Sequence, residues 1–136
     1  MTAGKEKKLT SAQIGIFKEE CRYWIEKFGL VGWEIDITTG QFNDNAAVIS
    51  FDTVNRWAVI KLSDHWPQEK ITDQELRITA YHEVYELLLS KFRSIVSSNT
   101  SQDKQDVDEQ IHIVIRTLEN LHFIPDYHRR MNEGEI

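Results

Sequence analysis

A single cysteine, Cys21, stands in a chain of 136 residues, so no disulfide can close within it. An oxidising compartment is therefore not implied. Positive charge is also scarce. Sixteen Lys and Arg face 22 Asp and Glu, for a net charge of −6. That balance argues against a phosphate-binding footprint and so against nucleic acid as a partner. The basic cluster Lys5, Lys7, Lys8 is short and terminal, and reads as a solvated tail. No apolar run approaches the roughly 20 residues needed to cross a bilayer. Met1 to Lys8 has no apolar core of the secretory kind. A cytoplasmic protein with no membrane partner is the expectation. Internal repeats and long linkers are missing too, and the length suits one domain, with 1–10 and 126–136 as flexible ends.

Apolar residues and turn signals divide the chain. Ile14, Phe17, Cys21, Trp24, Ile25 and Phe28 recur at helical spacing from about Ser11, and Gly29 provides the stop. Cys21 lies on that stripe and reads as core. Trp33, Ile35 and Ile37 then alternate with Glu34, Asp36 and Thr38, as in a half-buried strand. Ala46 to Phe51 and Trp57 to Leu62 are two more strands, joined across Asp52 to Arg56 as a hairpin. Pro67 ends the strands, with Trp66 covering the core. Thr72 and Glu75 form a capping box for a second helix reaching about Phe92, apolar on nearly every side from Ile78 to Leu89. A loop is expected over Ser97 to Asp103. The third helix runs from about Asp106 to Leu121, with the stripe Val107, Ile111, Val114, Leu118, Leu121 and a stop at Pro125. Asp126 to Arg130 reads as a solvated end. Strands grouped between helices predict an α+β fold.

Chemistry concentrates in Ala80-Tyr81-His82-Glu83-Val84-Tyr85-Glu86-Leu87-Leu88-Leu89. His82 and Glu86 are four apart, so both project from one helix face and can hold one metal ion. Glu83 lies about 100° round the helix from His82 and can reach an attacking water without ligating the metal. A simple His–Glu pair one turn apart fits the same letters. Ionisable groups crowded onto an apolar helix nevertheless ask for a partner, and a metal supplies one. A third ligand is available on the third helix. With Val107 at zero and about 100° per residue, Asp108 and His112 fall beside the apolar stripe, and Glu109 falls opposite it. Either Asp108 or His112 could serve.

The string His82 to Leu89 resembles the active helix of minimal zincin-like metallopeptidases of phages and bacteria, which carry H-E-x-x-H before an apolar run. The Trp33 to Ile37 strand, the Trp57 to Leu62 strand and the stretch from Asp108-Glu109 through His112 to Asn120 stand in the same order as in that family. The resemblance covers most of residues 11–121. It implies a zincin core, bound Zn²⁺ and hydrolysis of peptide or protein substrates, with His82 as first ligand, Glu83 as general base, Glu86 at the second ligand position and Asp108 or His112 completing the set. Glu86 replaces the family's second histidine. A carboxylate-rich set also suits Mn²⁺, and the alternative is a catalytically inactive binding module on the same fold, holding a partner by the edge strand or the cleft, or a metal-free adaptor. In that kind of fold an edge strand pairs with the extended substrate, and Trp57 to Leu62 is the candidate; an ordinary core strand is the other and stronger reading of the same residues.

Overall fold

A computed structural model describes residues 5–42, 45–90, 92–94 and 104–136. The chain is α+β, as its patterning predicts. It divides into two compact units, Met1–Ser90 and Lys91–Ile136.

The first unit opens with β1 (Glu6–Lys8), which pairs antiparallel with β5 (His65–Pro67). The expected basic tail is thus a strand from Glu6 onward, and Leu9 behind it is buried. Helix α1 (Ser11–Lys27) starts in a reciprocal capping box between Thr10 and Gln13. It stops where the sequence places the stop. Gly29 takes φ +64°, the Gly29 amide donates to the Glu26 carbonyl, and the Leu30 amide donates to the Ile25 carbonyl. Those two bonds form a Schellman motif, which needs the left-handed residue that glycine supplies.

Strands β2 (Glu34–Gly40), β3 (Ala47–Asp52) and β4 (Trp57–Ser63) form a mixed sheet in the order β2-β4-β3. The β3–β4 hairpin is the one expected. Its turn is closed by Asp52, whose Oδ1 accepts from the Val54 and Asn55 amides at 2.9 and 3.0 Å. Of the two readings of Trp57 to Leu62, the core strand is the one found. It runs parallel to β2 on one side and antiparallel to β3 on the other, so its ladder is filled and the edges belong to β2 and β3.

Thr72 caps α2 (Asp73–Leu88) by accepting from the Glu75 amide at 3.1 Å. Leu76, Ala80, Tyr81, Val84 and Leu87 are buried, so α2 is the core helix of this unit, though it ends short of Phe92. Tyr81 meets Trp24 edge-to-face at 4.7 Å. Two charged residues share the α1–α2 contact. Glu20 is fully buried; its carboxylate accepts from Trp24 Nε1 and from Arg77, both at 2.7 Å.

In the second unit α3 (Lys104–Leu118) passes through a π-helical turn (Glu119–Phe123) directly into α4 (Ile124–Asn132). The stop expected at Pro125 does not occur. Pro125 has no N–H and its ring collides with a carbonyl four residues back in a regular helix. The wider π turn just before it relieves that collision, and the helical path continues. Asp126 to Arg130 is therefore helical, not a solvated end. Arg130 is buried and pairs through Nε with Asp126 at 2.8 Å, and Tyr127 stacks on Phe123. The α3 stripe is only partly buried. Ile111 and Ile115 are covered, while Val114 and Leu121 are exposed. The expected loop Ser97 to Asp103 lies outside the described residues.

The buried Glu20–Arg77 pair generates a stability prediction. Arg77→Met leaves an uncompensated buried carboxylate and should cost about 3–5 kcal/mol. The double variant Glu20→Gln/Arg77→Met keeps an acceptor for Trp24 and removes both charges, so it should recover at least half of the loss. All four Trp lie within residues 1–90, so urea unfolding followed by Trp fluorescence reads this unit alone. Equal losses in single and double variants would show that the pair is not what holds α1 to α2.

Candidate metal site

The helical period sets α2's chemistry. Its buried residues occupy one face, and stepping round from them come Glu83, then Glu86, then His82, each separated by roughly 40–60°. Glu83 therefore stands at the edge of the buried face and is 5% exposed. Glu86 and His82 stand on the flank, with side chains 11% and 23% exposed. His82 Nε2 and Glu86 Oε2 are 3.6 Å apart. That is long for a hydrogen bond. It matches the roughly 3.4 Å that separates two atoms bound tetrahedrally to one Zn²⁺ at ordinary bond lengths.

Glu83, the candidate base, makes itself felt on α1. Burial pushes the Cys21 thiol well above its ordinary range, and the carboxylates of Glu83 and then Glu20 add to the shift, against Arg22. Cys21 is thus a protonated core residue, as its place on the apolar stripe suggests.

On α3, His112 lies one turn after Asp108. His112 Nδ1 is 2.9 Å from the Asp108 carbonyl oxygen. A carbonyl can only accept, so Nδ1 is the donor in this contact. Metal-binding histidines are oriented in this way. The Asp108 carboxylate lies 3.2 Å from Arg93 and 3.6 Å from His112 Nδ1. Among the described residues, His82, Glu86 and His112 are ones that could hold a metal ion; His82 and Glu86 belong to the first unit and His112 to the second. Glu109 is exposed. The approach of Arg93 to Asp108 leaves no trace in the spacing of either residue, because the pair joins separate stretches of chain.

Imidazole and carboxylate are both donors that divalent metal ions accept.

The raised Cys21 pKa makes a pH prediction. Above about pH 8.5 the unfolded thiol ionises while the folded one keeps its proton. The unfolded state then binds fewer protons, and stability must fall as pH rises, by at most about 1.4 kcal/mol per pH unit. Below that pH this contribution is constant. Cys21→Ala should flatten the slope between pH 8.5 and 10 in urea titrations, and an unchanged slope would count against a protonated buried thiol. Comparison with protein-family models, with curated proteins and with solved structures finds no match to this chain.

Proposed function

We propose that this chain is a zincin-like metallopeptidase of the cytoplasm in which His82, Glu86 and His112 hold Zn²⁺ and Glu83 is the general base. The observation that carries the reading is the 3.6 Å separation of His82 Nε2 and Glu86 Oε2 on successive turns of α2. Zn²⁺ at such a set supplies a Lewis acid for a peptide carbonyl and lowers the pKa of water. The residues do the rest. His82 and Glu86 fix the site to the core helix, which the Glu20–Arg77 pair holds in rotation. Glu83 takes the proton from the attacking water and passes it to the leaving amine. The location rests on the lone cysteine, and no helix among the described residues is long and apolar enough to cross a membrane.

A second reading has one observation in its favour. Glu83 is 5% exposed and acts on Cys21, which suits a binding module without catalysis.

The test separates the two. Purified protein, loaded with Zn²⁺ and dialysed, should retain close to one equivalent by elemental analysis. His82→Ala and His112→Ala should each weaken binding by about 100-fold or more, and Asp108→Asn by under tenfold. In a broad peptide library, Glu83→Gln should lower cleavage by about 10²–10⁴ with metal content unchanged. Glu86→His should tighten Zn²⁺ and raise cleavage. A protein that holds zinc, keeps its fold and cleaves nothing, Glu86→His included, is the module and not the peptidase. One that holds no zinc is neither.

A further inference from the structure

Strand β2 is the edge of the sheet that lies away from β3. Natural sheets blunt such edges with Pro, charged side chains such as Lys, bulges or a covering element. Among the described residues β2 has no Pro, Lys or bulge, and its charged side chains are the carboxylates Glu34 and Asp36. Its register with β4 is unbroken from Glu34 to Gly40, and its other side pairs with no described strand. A cleft of about 540 Å³ runs along this edge between β2 and the end of α1. That size is ordinary for a ligand groove. Ile25, Leu30 and Trp33 line it with Ile35 and Ile37 of β2.

Alternation fixes what each side of an added strand would meet. Ile35 and Ile37 point to the core face of the sheet, opposite Ala58 and Ile60, which are buried. Glu34 and Asp36 point to the open face and are exposed. Glu26 adds a third carboxylate across the cleft, against one lining cation, Arg22. Arg56 approaches Gly32 just before the strand begins. A second copy of β2 pairing antiparallel would set Glu34 and Asp36 against the same two carboxylates, and like charges directly opposite are destabilising.

We propose that the free edge of β2 is a docking site for an extended peptide with alternating apolar and basic side chains, added as a fourth strand. Its apolar side chains lie beside Ile35 and Ile37 and enter the cleft. Its Lys or Arg side chains lie beside Glu34 and Asp36 on the open face. Main-chain hydrogen bonds supply affinity and the alternation supplies specificity. The surface belongs wholly to the first unit and does not depend on the metal site.

The experiment uses the full chain and fluorescein-labelled peptides in anisotropy titrations. The probes are Ac-Ile-Lys-Val-Lys-Ile-Lys-Val, its Glu-for-Lys counterpart and a block-scrambled peptide of the first composition. The alternating basic peptide should bind with saturation, at least about tenfold more tightly than either of the others. In Glu34→Lys/Asp36→Lys the preference should invert, with the acidic peptide bound and the basic one weakened about tenfold. Both substitutions are at exposed positions, and inversion shows that the edge is still formed. Equal binding of all three peptides, retention of the basic preference in the swapped variant, or no saturable binding up to millimolar peptide would overturn the proposal. Concentration-dependent dimerisation abolished by the swap would also overturn it, in favour of a second copy.

Discussion

One buried ion pair sets the geometry of the first unit. Glu20 has no access to solvent, and a carboxylate in that position is tolerated only when its charge and lone pairs are met. Arg77 meets one oxygen and Trp24 Nε1 the other, both at 2.7 Å. Arg77 also reaches Glu19 at the surface, 3.1 Å away. Apolar packing between α1 and α2 would permit several rotations and slides. A charge pair with directional hydrogen bonds permits one, because any slip of a turn strands Glu20. Tyr81 against Trp24 and Phe28 then fills the contact one turn along.

That rotation places the α2 flank. With Arg77 and Tyr81 turned to α1, helical geometry leaves His82 and Glu86 on the partly covered side and Glu83 at the boundary. The chemistry-bearing side chains are therefore half-buried, which strengthens their electrostatics without sealing them from a ligand. The same geometry explains the influence of Glu83 on Cys21. A carboxylate at the rim of the α1–α2 contact faces both the core and the flank.

The helices and strands of the first unit are legible in the sequence because their periods are clean. Ile14 to Phe28, Trp33 to Ile37 and the Asp52 turn each carry a local signal strong enough to fix the element. Sheet order is not legible, since nothing in Trp57 to Leu62 says that β2 and β3 flank it. Glu20 and Arg77 do leave a trace. Each sits at an apolar position, Glu20 between Phe17 and Trp24, Arg77 three residues before Ala80, and a charge on both stripes points to a buried pair. The second unit is harder to read. Pro125 reads as a stop because the π turn that accommodates it is set by backbone adjustment, not composition. Burial then passes to Phe123, Tyr127 and Arg130, and the stripe ending at Leu121 loses its cover. At the site, the spacing of His82 and Glu86 is visible, as is the one-turn spacing of Asp108 and His112; the approach of Arg93 to Asp108 is not, because it joins separate stretches of chain.

If a histidine–glutamate pair on the core helix, completed by a second histidine, is a metal site, X-ray absorption at the zinc edge of the loaded protein in solution tests it most directly. The predicted spectrum has a four-coordinate first shell of nitrogen and oxygen near 2.0–2.1 Å, with outer-shell scattering from two imidazoles, reduced to one in His112→Ala. A six-coordinate oxygen shell without imidazole scattering, or a spectrum unchanged in His82→Ala, would contradict it.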